Sequence, residues 1–472
     1  MTATTTTPTT AEQHRYKFAA TDGRLWLGLG PLPIATLGCA LVFAVALLYV
    51  GAPLPLTVLF AAIGVIAAVL PIAGRPLICW VPPVTRQATG EAAGVTRWAP
   101  AVLHPQPRPG RVRRLPPEFG RCRIVDDPAG VLSVVDHGAS ATVVFVVAGS
   151  DRFALLDPAE QARQVASWGT ALTTLATDPD VLRVQWTHRI GPETADPAQW
   201  LRDRQPVDGD ATAVHDYDRM ANELRDRAVR HETWVAVRVA HRTTRAGLEP
   251  IVERARTMAS VLLGSDLLAR PLAGRELTWL LRRFTDHRAP ADPPADTGSI
   301  ACSRRSNWSH LQTDDSLHRS YAVVGWPRLP VLPGWLEPLL HAPAGDAART
   351  VSVHLQPVAA ALAARQARAD RTRARLDAAD RTRLGFTDST ATAWAEADAA
   401  GTEEELLAGY RLHRVAGVVM CSASTTAALD DACRAMTGAA ATARVDVRPL
   451  HGQHDIGFVA ATPLCRPAGG PR

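Results

Sequence analysis

Fifty consecutive residues, Leu25 to Gly74, contain no Asp, Glu, Lys, Arg or His. A fold must either bury such a stretch completely or place it in lipid. It divides at Gly51-Ala-Pro53 into two apolar runs, Ile34 to Val50 and Leu54 to Leu70. Gly and Pro punctuate helices. A membrane helix needs roughly 20 apolar residues to cross a ~30 Å hydrocarbon core. The stretch is too long for one span and suits two. It predicts transmembrane helices over about 31–50 and 54–73, joined by a very short loop. The alternative is a hairpin in a large soluble core. Core helices keep a polar face for water, and this pair has none. A cleaved signal peptide does not fit either, because the run starts late, is long, and repeats after the turn.

The flanks set orientation. Arg15, Lys17 and Arg24 precede the pair, Arg75, Arg86 and Arg97 follow it, and the turn is uncharged. Positive residues stay on the cytoplasmic side. The expected protein sits in the inner (cytoplasmic) membrane with two spans and both termini in the cytoplasm.

Of the formal net charge of +5, residues 1–24 contribute +1. Residues 75–123, with nine arginines against two glutamates, contribute +7, which leaves the rest at −3. The basicity is therefore juxtamembrane. Basic residues beside a cytoplasmic leaflet gain about 1 kcal/mol each from anionic lipid. Arg75, Arg86, Arg97, Arg108, Arg111, Arg113 and Arg114 are the expected membrane-surface contacts. The body shows no basic stripe with interleaved aromatics, so no sequence-specific nucleic-acid binding is expected. Lys17 is the only lysine. A P-loop needs a lysine reaching the β- and γ-phosphates, so this chain carries no Walker A motif. The seven cysteines lack any C-x-x-C spacing, which points away from a zinc site or a disulfide framework.

The chain then reads as a series of segments. Residues 1–24 are a disordered tail, and 75–118 a basic, Pro-rich, semi-extended linker. Residues 119–285 form an α/β domain, with strands near 131–135, 141–147, 181–188 and 233–241. Its helices lie near 157–175, 211–231, 246–266 and 273–285. Residues 286–307 are a linker. Residues 308–464 form a second α/β region, with strands near 318–326, 350–355, 413–422 and 445–450. It carries long helices at 358–384 and 390–410, the second interrupted near Gly401, and a helix at 425–440. Residues 465–472 are a tail. The fold class expected is an N-terminal transmembrane α-hairpin followed by an α/β (α+β) cytosolic region with mixed sheets and a long helical arm. No exact repeat is visible, although the passages 131–188 and 350–450 look related.

Chemistry is sparse. No G-x-S-x-G, H-E-x-x-H or strand-led G-x-G-x-x-G occurs. Asp314-Asp315 is the best carboxylate pair, but neighbours in a turn usually diverge. His137 lies in a turn between strands and suits a structural role. Cys421 has no His or Asp near it in spacing. No catalytic site, cofactor or metal is expected, although triads need not be local.

Two passages carry a resemblance. One is Asp315-Ser-Leu-His-Arg-Ser-Tyr-Ala-Val-Val-Gly-Trp-Pro327 followed by Gly334-Trp-Leu-Glu-Pro-Leu-Leu340. The other is Glu405-Leu-Leu-Ala-Gly-Tyr-Arg-Leu-His-Arg-Val-Ala-Gly-Val-Val-Met420, then Val447-Arg-Pro-Leu-His-Gly-Gln453 and Phe458-Val-Ala-Ala-Thr-Pro-Leu464. Together they resemble the N-terminal, non-catalytic region of type IV secretion (conjugation) ATPases. With the hairpin in front, the chain resembles an actinobacterial family of membrane proteins from conjugation-type gene clusters. Those ATPases continue past the equivalent of Pro463-Leu464 into their motor, whereas this sequence stops at Arg472. The resemblance therefore implies a non-enzymatic membrane component of a multi-subunit apparatus. Its partners would be a motor ATPase from another chain, other membrane subunits and anionic lipid. Trp326, Trp335, Gly409, Tyr410, Gln453 and Phe458, within those passages, are the expected docking residues. The alternatives are the two-helix membrane subunit of a type VII secretion apparatus, or a membrane-tethered enzyme with a non-local site.

Overall fold

The structure is a computed structural model. It describes residues 31–72, 74–98, 112–114, 119, 122–127, 130–148, 155–192, 212, 215–216, 219–220, 229–240, 249–265, 267–290, 303–314, 316–327, 331–341, 345–383 and 390–466.

The charge-free stretch contains helices α1 (Pro31–Tyr49) and α2 (Leu54–Val69). They pack closely: a Cβ on Gly64 would lie 2.3 Å from the Cβ of Ala40. The rings of Phe43 and Phe60 meet edge to face at 5.5 Å. Small residues permit this approach between apolar helices. Leu41, Val42, Val45, Val58 and Ile63 are all more than half exposed. A soluble core would have covered them. The window Leu32–Tyr49 is long and apolar enough to cross a membrane, and only 11% of it is buried. α2 is shorter than the expected 54–73, because the chain turns at Leu70 into strand β1 (Pro71–Ile72), paired with β2 (Arg75–Pro76).

The described part of the basic segment is folded, contrary to the linker expected over 75–118. A 3-10 turn, Leu77–Trp80, lies against the ends of α1 and α2. Helix α3 (Val81–Ala92) follows, with Pro at its first positions, where the missing N–H costs nothing. Strand β3 (Arg97–Trp98) then joins the edge of the main sheet.

Among the described residues that sheet has fourteen strands. The remaining strands are β4 (Val112–Arg114), β5 (Arg123–Asp126), β6 (Ser133–Asp136), β7 (Ser140–Ala148), β8 (Val181–Pro192), β9 (Val229–Ala240), β10 (Leu268–Pro271) and β11 (Arg304–Ser306). After them come β12 (Leu311–Thr313), β13 (Ser316–Gly325), β14 (Ala348–Pro357), β15 (His413–Ala423) and β16 (Asp446–Pro449). The helices are α4 (Pro158–Thr177), α5 (Glu249–Leu263), α6 (Gly274–Thr285), α7 (Glu337–Leu340), α8 (Ala360–Arg383), α9 (Thr390–Leu407), α10 (Thr426–Thr442) and α11 (His454–Ala461). Every described pairing is antiparallel. The described fold is therefore α+β, with antiparallel pairing throughout its described strands. Residues 229–231, expected to end a helix, belong to β9, and the rest of that expected helix falls mostly outside the described residues.

The topology contains a duplication. In the first half β7, α4, β8, β9, α5 and β10 form a βαββαβ unit with strand order β10-β7-β9-β8. In the second half β13, α7, β14, β15, α10 and β16 repeat it with order β16-β13-β15-β14. The halves join at their equivalent edges: β8 pairs with β14, placing Thr187 opposite Ser352 and Gln185 opposite His354. Each half is then followed by a helix, α6 or α11. With these helices the repeat covers about 140–285 and 316–461, bounds that differ from the passages 131–188 and 350–450 that looked related. One sheet runs through both halves, so 119–285 and 308–464 are not separate domains. The described part of the supposed linker is packed, with His287 and Ala289 buried.

Helices cover both faces. α4 and α5 pack on the first half, and α10 on the second. On the other face α6 and α11 share a single core that crosses both halves, including Phe119, Trp234, Leu277, Phe284, Met420 and Phe458. α6 supplies Leu277, Leu280, Leu281 and Phe284, the spacing of one helix stripe. This double cover explains why Ala141 to Val147 is nearly all apolar, since six of the first seven residues of β7 are buried.

Helices α8 and α9 form an inserted arm between β14 and β15. Its root is narrow: Val358 N–H donates to the Leu412 carbonyl at 2.9 Å, beside the pair Pro357–His413. α9 runs through Gly401 without interruption.

Candidate functional site

The site worth building is the junction between the apolar pair and the body. Trp80, at the end of the 3-10 turn, meets Trp308 at 6.1 Å and His451 at 6.0 Å. Trp308 and His451 stack at 5.9 Å with their rings nearly parallel. Gly452 makes this possible. Its φ is +67°, and a Cβ there would lie 2.7 Å from the Trp308 ring. Its N–H donates to the Trp308 carbonyl. One turn further on, Arg86 on α3 binds Asp455 through both terminal nitrogens, at 3.1 and 2.7 Å. Gln87 is buried and donates to Glu91 and to the Ser306 carbonyl. The segment that follows the apolar pair is thus clamped onto the first turn of α11 and the loop before it.

α11 is itself fixed to β13. His454 Nδ1 accepts the Ser320 N–H at 3.1 Å, and Leu450 N–H donates to the Ser320 carbonyl. Burial pushes the His454 pKa down to about 3, so the ring stays neutral and keeps a lone pair for that backbone donor. Past α11 the chain crosses the central seam. Gln185 donates to the carbonyls of Ala460 and Thr462 and accepts the Cys465 N–H. His354 Nε2 bonds the Ala460 carbonyl, and burial lowers its pKa to about 4.

The expected site residues divide accordingly. Arg75 is buried and lies 5.4 Å from the Trp80 ring centroid, and Arg86 is taken up by Asp455. Neither is the free lipid-facing cation expected, because the segment folds back onto the body. Arg97 remains exposed on β3. Arg108 and Arg111 lie outside the described residues. For Arg113 and Arg114 only the backbone, in β4, is described. Phe458 is 1% exposed in the shared core and cannot dock a partner. Trp326 and Trp335 meet edge to face at 6.3 Å, with Trp326 over Gly417. Gly409, at φ +98°, ends α9 in the left-handed conformation a glycine tolerates. Gln453 precedes α11. Tyr410, 55% exposed beside Leu407 at 83%, and Gly409 are the expected docking residues that stay exposed.

Sequence reasoning missed two buried groupings. Glu232 on β9 receives both terminal nitrogens of Arg283 at 2.6 Å, with Arg189 at 3.9 Å. Burial raises its pKa, but Arg283, Arg189 and Arg230 outweigh that and hold it below the usual range. Cys122 Sγ lies 2.9 Å from His137 Nδ1. This resembles a thiol–imidazole dyad, yet burial raises the thiol's pKa and holds His137 near 3. A poised nucleophile needs the opposite shifts. His137 also bonds Thr142, a structural role. Among the described residues no group of three or more His, Cys, Asp or Glu is arranged to hold a metal.

No protein-family model matches the chain, and no curated protein matches its sequence.

Proposed function

We propose that the chain is a non-catalytic, membrane-anchored structural subunit of a type IV-like conjugation or secretion apparatus. Its apolar pair would span the inner membrane twice. Its body would face the cytoplasm and dock a motor ATPase supplied by another chain.

The observation that carries this reading is the clamp between the apolar pair and the body. Exposed apolar helices are tied through Arg86–Asp455 and the Trp80–Trp308–His451 stack to a sheet that crosses the whole body. Such coupling suits a platform that holds a partner at fixed height and orientation. The helical arm supports the docking role. Leu407 and Tyr410 leave apolar surface at its root. A type VII secretion subunit is the second reading, favoured by the placement of the two apolar helices directly ahead of the body.

Affinity purification of the full chain from its native membranes tests the proposal. A motor ATPase should co-purify, and its identity separates the two apparatus types. Recovery without any ATPase, or turnover by the chain itself abolished by one point change, would overturn the structural role.

A further inference from the structure

Under the ends of the apolar helices lies a cavity of about 350 Å³, lined by Arg75, Cys79, Ala322, Arg448, Leu450 and Gln453 among others. Arg75 is only 8% exposed. Its Nε, and that of Arg448, are buried without a hydrogen-bond partner among the described residues. The electrostatic neighbours of Arg448 are Arg75 and the Cys79 thiol, and that of Arg75 is Cys79. Among the described residues no carboxylate takes part. Burial depresses both guanidinium pKa values, Arg448 to about 10 with help from Arg75.

Two like charges facing one cavity, Arg75 buried and Arg448 half-buried, are costly unless an anion completes the site. Elsewhere this chain meets the same problem with a carboxylate, as Arg189 and Arg283 share Glu232. Guanidinium forks match phosphate oxygens in geometry and charge. The cavity also has a definite depth. Arg75 pairs across the β1–β2 hairpin with Ile72, just past the end of α2. Trp80 covers it and donates its indole N–H to the Ile72 carbonyl. Tryptophan at that place suits the headgroup level of a bilayer.

We propose that this cavity binds a phosphate group, gripped between Arg75 and Arg448, and that the phosphate belongs to an anionic phospholipid of the leaflet facing the body. The choice of a lipid as source rests on the membrane reading above. The phosphate chemistry does not. The site joins residues on either side of the body's whole sequence, so an occupied cavity would also brace the clamp.

The test uses the full chain in mild detergent, stripped of lipid and then offered phosphatidylglycerol or phosphatidylcholine, with retained lipid read by native mass spectrometry. Phosphatidylglycerol should be retained over phosphatidylcholine. Arg448→Gln should reduce that retention about tenfold, the loss of one charge-assisted contact, while Arg97→Gln, on an exposed strand, should not. Arg448 is only partly buried, so its variant tests the site even if Arg75→Gln fails to fold. A second arm measures the thermal shift given by inorganic phosphate to the lipid-free chain. A shift lost in Arg448→Gln, without lipid retention, keeps the phosphate site and refutes the lipid source. Equal lipid retention by wild type and Arg448→Gln, with no phosphate shift in either, overturns the proposal. A chain that fails to enter membranes would sink the anchor reading and leave the phosphate arm decisive for the cavity.

Discussion

Arg86 and Asp455 are 369 residues apart in sequence, yet they form a two-pronged ion pair. The pair closes the chain on itself: the segment leaving the apolar helices is held by the first turn of the last helix. Arg86 keeps 43% of its side chain exposed, Asp455 only 16%. A half-exposed pair contributes about 0–1 kcal/mol. Asp455 also lies in the first turn of α11, where a negative charge gains roughly 0.3–1 kcal/mol from the helix dipole. Asp455→Ala should therefore lower stability by about 1 kcal/mol and Arg86→Ala by about half that. Denaturant midpoints read by tryptophan fluorescence check this, and a larger loss for Arg86→Ala would contradict it.

Two glycine substitutions should act in opposite directions. A Cβ on Gly457 would lie 2.4 Å from the Ser320 Cβ and 2.8 Å from Leu450 Cδ1, inside the shared core. Gly457→Ala should cost about 2 kcal/mol through overpacking. Gly438, on α10, has nothing within 4 Å of that position. Gly438→Ala should stabilise by about 0.5–1 kcal/mol through helix propensity. Thermal melting of the two variants decides the matter, and a shift of the same sign in both would count against the α11–β13 packing.

Mild acid should destabilise the body. Burial holds His137, His318 and His454 near 3, and His188 and His354 near 4. Unfolded histidine titrates near 6.5. Because the folded values are depressed, the unfolded state takes up protons first as pH falls. This stability is complete above about pH 6.5 and is lost progressively toward the folded values, at up to about 1.4 kcal/mol per pH unit for each histidine. Glu232 and Asp346, also depressed, contribute stability that starts to be lost only as pH reaches the ordinary carboxylate range, about 4, and falls further toward their folded values. A melting temperature that falls between pH 7 and 5.5 is expected. An unchanged value would show that these rings are not buried neutral.

Glu232→Gln should be among the most damaging single changes in the body. It would leave Arg189 and Arg283, 5% and 8% exposed, without their shared carboxylate. Breaking a buried ion pair costs about 3–5 kcal/mol. By contrast, loss of the exposed pair Arg256–Glu253 should be nearly silent. Expression and melting of both variants provide the comparison.

The central strands were readable because β7, β8, β14 and β15 are runs of β-branched and apolar residues bounded by turn signals. α4 was readable from Asp157-Pro158, and Asp157 does accept the Glu160 N–H. The folded segment after the apolar pair was hidden by its own composition. Pro82 and Pro83 look like a linker, yet there they begin a helix. α11 is short and carries Gly457, so its eight residues read only as the closing segment of the second region, with no helix assigned. The likeness of 131–188 and 350–450 hinted at the duplication, but its extent lives in strand order, with a four-residue α7 standing where the first half has the twenty-residue α4. The clamp joins residues at opposite ends of the chain, and no local pattern announces Arg86 with Asp455 or Arg75 with Arg448.

In the proposed role the body docks a motor ATPase, with the arm's root as the contact. Its narrow base at Val358 and Leu412 allows residues 359–411 to be replaced by a short turn without breaking the β14–β15 pairing. The excised chain should insert in membranes and melt within a few degrees of the full chain, but it should no longer capture the ATPase. Capture undiminished by the excision would contradict the account.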